Sequence, residues 1–125
     1  MTALIDTCVI IDALQRRQPF DTVAMQIIEV VAQKRINGII TAKSVTDIHY
    51  LYMRYIHDKA KTLDMIIKLF RLFMVADTLA DDCYNACFST INDYEDGVME
   101  QTAKRLHIYI RHLNFAHRHS LSITI

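Results

Sequence analysis

Glycine and proline are scarce in this chain, which has two glycines and one proline among 125 residues. Flexible linkers and low-complexity tracts are usually rich in these residues, so neither is expected. No internal repeat is visible, which argues against a repeat architecture. Because 52% of the residues are hydrophobic, the chain can bury a core, and its length suits a single domain over residues 1–125.

The chain also lacks net charge, since 14 basic residues balance 14 acidic ones. A protein that grips long nucleic acid non-specifically is usually basic, so a broad nucleic-acid-binding surface is not expected. A local site for nucleic acid remains compatible with this balance. Arg16, Arg17 and Lys43 are the basic residues that we consider as contacts to a substrate backbone.

Long apolar runs and paired cysteine motifs are absent. No stretch approaches the ~20 apolar residues of a membrane span, and the N-terminus lacks the charged start of a signal peptide. The three cysteines, Cys8, Cys83 and Cys87, are odd in number and form no CxxC motif. Reduced thiols in a cytoplasmic protein without membrane attachment are the simplest interpretation. Cys83 and Cys87 share a helix face at this spacing and are expected to pack in the core.

Short apolar segments alternate with helical patterns along the chain. Strands are predicted at about 3–6, 73–76 and 108–110, and residues 37–41 are predicted to form a turn followed by a short strand. Helices are predicted at about 21–34, 44–55, 59–72, 79–90 and 94–106. This alternation indicates βαβ crossovers, and hence an α/β fold with a mostly parallel sheet covered on both faces. In the helix at 59–72, four apolar residues at helical spacing are expected to face inward: Leu63, Ile66, Ile67 and Phe70.

Acidic residues stand at three places where a functional site can form. Asp6 ends the first predicted strand, and open α/β sheets bind ligands beyond the carboxyl ends of their strands. Asp47 comes three residues after Ser44, the predicted cap of a helix, so a capping-box role competes with a role in the site. Asp93 and Asp96 begin a later helix, where they can cap it or face one common point.

Together these acids suit a hard cation such as Mg²⁺ or Mn²⁺, which prefers carboxylate oxygens as ligands. Crowded carboxylates repel each other, and a bound cation relieves that repulsion. Such a cation can activate water and stabilise charge on a phosphoryl group. A metal ion would also explain why a carboxylate, Asp6, stands at the end of a buried strand.

Three segments resemble the acid-bearing motifs of PIN domains, and the bacterial VapC-like toxins in particular. They are "LIDTCVIIDAL", "ITAKSVTDIHYL" and "DYEDGVMEQTAKRL", and they follow the family order over about residues 3–106. The resemblance implies a three-layer α/β/α sandwich and a Mg²⁺- or Mn²⁺-dependent ribonuclease, the toxin of a toxin–antitoxin pair. It further implies RNA as the substrate, a small antitoxin protein as a partner, and a homodimer.

The resemblance also assigns individual residues. It implies that Asp6, Asp47 and Asp96 hold the metal, and that Asp93 assists them in catalysis. Two positions depart from the family pattern, because Cys8 stands where Asn is usual and Asp47 stands where Glu is more usual. No Asp or Glu follows Glu100, so the fourth acid of the family is missing.

The segment 107–125 diverges from the family, as a natural variant or as the product of a slip of the reading frame, and we hypothesise the slip. The missing acid leaves a second function open, a catalytically impaired PIN-fold protein that acts through protein–protein binding. Metal affinity distinguishes the two. A phosphorylated receiver domain is disfavoured, because receivers place a pair of acids just after the first strand, whereas Asp6 stands there alone.

Overall fold

A computed structural model describes residues 2–108, 110–113 and 121–124 of the protein. In chain order the elements are β1 (Thr2–Leu4), α1 (Thr7–Leu14), α2 (Asp21–Ala32), β2 (Asn37–Thr41), α3 (Ala42–Ile56), α4 (Lys59–Leu72), β3 (Met74–Ala76), α5 (Ala80–Ala86), α6 (Tyr94–Arg105), β4 (Ile110–Leu113) and β5 (Leu121–Thr124). None of the described helices combines the length and the apolar character that crossing a membrane requires.

The central sheet has the strand order β1-β2-β3, and both strand pairs are parallel. Ala3 lies opposite Gly38, and Ile40 lies opposite Val75. The carboxyl ends of all three strands therefore meet at one edge of the sheet. In parallel α/β sheets this is the edge where ligands bind.

Apolar side chains alternate along the strands and give this sheet two buried faces. Ile5 and Ile40 belong to a core that includes residues of α1, α2, α3 and α4. Leu4 and Ile39 belong to a second core on the other side, with residues of α6, and α5 packs on α6. The protein is thus the expected three-layer α/β/α sandwich with a parallel sheet in the middle.

The C-terminal strands form a separate antiparallel pair. Ile110 lies opposite Thr124, and Leu113 lies opposite Leu121. The fourth strand, predicted at 108–110, instead begins at Ile110, and Tyr109 lies outside the described residues. The prediction of a mostly parallel sheet therefore holds for β1, β2 and β3.

The bounds of α4 agree with the predicted helix at 59–72, but its predicted inward face is wrong. Three of the four residues expected inside are exposed by 43 to 56%: Leu63, Ile67 and Phe70. The buried residues of the helix are Thr62, Met65 and Leu69. Thr62 tolerates burial because its hydroxyl donates to the backbone oxygen of Asp58 at 2.7 Å. The buried stripe is rotated by one residue, about 100° on a helix.

Thr41, and not Ser44, caps α3. The side-chain oxygen of Thr41 accepts a hydrogen bond from the backbone N–H of Ser44 at 3.1 Å. The helix therefore begins at Ala42, three residues earlier than a Ser44 cap would place it. Asp47 then lies in the second turn, where it cannot complete a capping box.

The helix predicted at 79–90 is also shorter than expected, because α5 ends at Ala86. Leu79 is its N-cap residue, and its backbone N–H donates to the Asp82 carboxylate at 3.0 Å. The core position expected for the cysteine pair is wrong, since Cys87 is exposed and Cys83 is only half-buried.

Candidate functional site

A cavity of about 310 Å³ lies at the carboxyl edge of the sheet. Five carboxylates line it, and they come from the beginnings of three helices: Asp6, Asp47, Asp93, Glu95 and Asp96. Lys43 is the one basic side chain in the lining that the described residues provide. The structure therefore brings together all four predicted site residues and adds Glu95, which the sequence left without a role.

Asp6 is the most buried of these acids. Strand β1 ends at Leu4, so Asp6 lies two residues beyond the strand and caps α1 by accepting from the Cys8 N–H at 3.4 Å. Its side chain is 7% exposed. Burial raises the pKa of Asp6 to about 6, and the negative charges of Asp96 and Asp93 contribute to the rise. The surroundings of Asp6 therefore disfavour the ionised form of its carboxyl group.

Asp93 and Asp96 begin α6 together. Asp93 caps the helix, as predicted, because its carboxylate accepts from the Asp96 N–H at 3.1 Å. Both side chains are half-buried. Their effect on the pKa of Asp6 means that both carboxylates lie close enough to repel the negative charge of Asp6, a repulsion that a bound cation relieves.

Asp47 is held by a lysine one turn earlier in α3. The Lys43 ammonium lies 2.5 Å from Asp47 Oδ2 and 3.1 Å from Glu95 Oε1. Burial opposes the charge of Lys43, but hydrogen bonds to these two carboxylates outweigh burial and raise the pKa of the lysine. Lys43 is therefore a protonated bridge between two helices that each carry acids of the cavity.

A chain of hydroxyl groups beneath the cavity fixes α1 relative to α3. Thr7 Oγ1 donates to Ser44 Oγ at 2.8 Å, and Thr41 Oγ1 lies 3.0 Å from the same oxygen. Thr41 and Ser44 are both buried. This chain of hydroxyl groups was not predicted from the sequence, although the pattern T-x-x-S at 41–44 was a signal for the Thr41 cap.

Three other charged residues from the first part of the chain lie outside the cavity lining. Arg16 and Arg17, considered as substrate contacts, do not line it. Asp12 is 5% exposed and belongs to α1, but it is also absent from the lining. Lys43 is the one proposed backbone contact that the fold does bring to the acids.

The donors suit Mg²⁺ or Mn²⁺, because all five acidic side chains offer carboxylate oxygens. Among the residues that the structure describes, no three His, Cys, Asp or Glu side chains form a group that could hold a metal ion. Asp47 and Glu95 contact the Lys43 ammonium, which accounts for two of the acids. The set fits a divalent cation by charge and donor type but not by the present spacing of its side chains. To bind one, the carboxylates would have to move closer together, and Asp47 would have to exchange Lys43 for the metal.

A profile of the PIN domain matches residues 2–108. Searches of curated proteins and of solved structures found no match. PIN domains are generally nucleases and typically use divalent metal ions, so this match agrees with a cavity of clustered carboxylates at the carboxyl edge of the sheet. Because the match covers most of the chain, this protein belongs to the PIN-domain family.

Proposed function

We propose that this protein is a Mg²⁺- or Mn²⁺-dependent endoribonuclease, the VapC-like toxin of a toxin–antitoxin pair. In this proposal Asp6, Asp47 and Asp96 hold the metal, and Asp93 assists. The observation that carries it is the convergence of five carboxylates on one cavity, where the buried Asp6 has a pKa raised to about 6. A cation is the ordinary way to stabilise such a cluster in its charged form.

The side chains of the cavity have distinct tasks in this reaction. A bound divalent cation would supply an activated water and stabilise the charge of the phosphodiester. Asp6 presents an oriented carboxylate, because the Cys8 N–H and the hydroxyl chain at Thr7 fix the start of α1. Asp93 holds the first turn of α6 through the Asp96 N–H, which keeps Asp96 beside Asp6. Lys43 reduces the negative charge that an incoming phosphate meets.

RNA, an antitoxin protein and a second copy of the chain are the proposed partners, in a cytoplasmic protein. Four exposed apolar residues on α4 and β3 supply surface for a protein contact: Leu63, Ile67, Phe70 and Met74. Exposed apolar surface of this kind often marks a protein interface.

Titration calorimetry with Mn²⁺ tests the proposal on the native chain and on Asp6→Asn. We expect micromolar to low-millimolar binding by the native chain, loss of binding in the variant, and metal-dependent cleavage of RNA. Asp58→Asn is the matched control, because Asp58 also caps a helix, by accepting from the Lys61 N–H at 3.0 Å, but does not line the cavity. The control should bind Mn²⁺ like the native chain.

Absence of Mn²⁺ binding by the native chain would favour the second candidate, an impaired PIN-fold protein that acts by binding other proteins. Two observations support that alternative. No acid follows Glu100 in the sequence, and Lys43 already forms ion pairs with Asp47 and Glu95.

A further inference from the structure

One side of α3 leads out of the acidic cavity. Lys43, Asp47, Tyr50 and Arg54 follow one another at intervals of four, three and four residues, so they lie along a single helix face. The first three of them line the cavity. The Arg54 guanidinium then lies 5.5 Å from the centre of the Tyr50 ring. The face therefore runs from a carboxylate to an aromatic ring and on to a cation.

Tyr50 is the aromatic residue of the described cavity lining, and it is 60% exposed. The described residues contribute no second aromatic side chain to this lining. Every nucleobase has a flat face that can stack on an aromatic ring, and such stacking is a common way of holding single-stranded nucleic acid. An exposed tyrosine beside a phosphodiester-cleaving site is thus well placed to hold a base next to the bond that is cut.

Arg54 supplies a positive charge near a cavity that is rich in carboxylates. Five carboxylates face a single lysine in the lining, so the cavity repels the phosphates of an approaching strand unless a cation is nearby. Arginine both stacks on aromatic rings and binds phosphate through its planar guanidinium. Its position on the Tyr50 ring lets one residue pair hold a base and the adjoining phosphate.

Tyr55 shows that exposure alone does not define this arrangement. It lies on the same helix and is 54% exposed, nearly as much as Tyr50. However, it does not line the cavity, and its ring lies 6.2 Å from that of Tyr52. Tyr55 is therefore a natural control for Tyr50.

We propose that Tyr50 and Arg54 form a nucleotide subsite, in which Tyr50 stacks on an unpaired base beside the scissile phosphate and Arg54 contacts the adjoining phosphate. The inference rests on the proposed ribonuclease function for the place of the scissile bond. Both are positioning residues that hold the strand across the entrance of the cavity. A base can stack in this way only when it is unpaired, so the subsite favours loops and single strands over duplex RNA.

Fluorescence anisotropy with a labelled oligouridine strand tests the subsite. Asp6→Asn serves as the reference protein, so that cleavage does not disturb the measurement. In that background Tyr50→Ala should weaken binding by roughly 10-fold, whereas Tyr50→Phe and Tyr55→Ala should bind like the reference. With an abasic strand of the same length, Tyr50→Ala should cause no loss. Arg54→Gln should make the slope of log affinity against log salt concentration shallower, by about the amount that one phosphate contact contributes.

Two failures of this experiment have different meanings. RNA binding that is equal in Tyr50→Ala and Tyr55→Ala, or a Tyr50 effect that persists on the abasic strand, would overturn the subsite and leave the ribonuclease proposal standing. Absence of RNA binding by the reference protein would overturn the subsite, and absence of RNA cleavage by the native chain as well would overturn both proposals. Because both tyrosine rings are largely exposed, neither alanine change should unfold the protein, and circular dichroism checks this directly.

Discussion

Replacing Asp6 by asparagine should stabilise the protein at neutral pH in the presence of a chelator, although it removes a proposed metal ligand. Asp6 is 7% exposed, and its pKa is raised to about 6 by burial and then by Asp96 and Asp93. Ionising Asp6 therefore destabilises the folded chain relative to the unfolded one. Asparagine keeps the shape of the side chain and an oxygen for the Cys8 N–H, but it carries no charge.

The size and the sign of this effect follow from the pKa of Asp6 in the two states. The pKa rises from 3.8 in the unfolded chain to about 6 in the folded one, so the folded chain binds more protons between these values. Stability should therefore fall as the pH rises from about 4 to about 6. Each pKa unit corresponds to about 1.4 kcal/mol. Asp6→Asn should thus raise the free energy of unfolding by about 3 kcal/mol at about pH 7.5.

Urea unfolding of both proteins in EDTA measures this difference. The gain from Asp6→Asn should shrink to below about 1 kcal/mol near pH 4, where Asp6 is protonated in the folded chain and only partly ionised in the unfolded one. Asp58→Asn should change stability little at either pH, because Asp and Asn cap helices about equally well. A variant that is less stable than the native chain at about pH 7.5, or a gain that does not depend on pH, would refute the reasoning.

Three further substitutions test other parts of the structure. Lys43→Met should increase the rise in melting temperature that Mn²⁺ causes, because it removes the ammonium group that pairs with Asp47 and Glu95. Lys104→Met, at an exposed ion pair, is the control. A smaller Mn²⁺-dependent rise in Lys43→Met than in the native chain would contradict the prediction. Gly38→Ala should lower the free energy of unfolding by about 1–3 kcal/mol, because the added Cβ would lie only 2.8–2.9 Å from side-chain atoms of Phe73 and Val31. Gly97→Ala is the control, since its added Cβ would lie 3.5 Å or more from its neighbours. It should cause no loss in the same urea assay. Asp82→Asn should lower the free energy of unfolding by about 2 kcal/mol, because the buried carboxylate accepts hydrogen bonds from Arg105, Leu79 and Thr102. An equal loss in Glu100→Gln, whose lysine partner is exposed, would show that the burial of Asp82 is not the cause.

The order of most strands and helices was predictable because hydrophobic periodicity records it locally, but α1 and β5 were not predicted. The bounds of α4 agree with the sequence prediction for this reason. Residues 37–41 were predicted as a turn followed by a short strand, and all five belong to β2. The inward face of α4 was not predictable, because residues 62, 65 and 69 and residues 63, 67 and 70 both recur at helical spacing. Which of these two stripes is buried depends on how the helix packs on α3 and the sheet, and spacing alone does not contain that information.

Four of the five acids of the candidate site were predictable from the ends of strands, the beginnings of helices and the resemblance to PIN domains, and Glu95 was not. The bridge from Lys43 to Glu95 was not, because it joins residues 52 positions apart. The exposure of Tyr50 was not predictable for a similar reason. The spacing of apolar residues predicted a helix that contains Tyr50, but it did not identify the face of that helix that meets solvent. Most features of the site that could not be predicted thus depend on contacts between elements that lie far apart in the sequence.

The capping roles of Asp6 and Asp93 were alternatives to a metal site in the sequence, and the structure removes the conflict between them. Each of these acids caps a helix that begins at the carboxyl edge of the sheet. Acids are favoured at helix N-termini, because the backbone N–H groups there carry partial positive charge. The same geometry therefore orients the two carboxylates and delivers them to one cavity. Asp47 has no capping role, and its partner is Lys43. A metal ion that binds Asp47 would therefore have to displace Lys43 from this carboxylate.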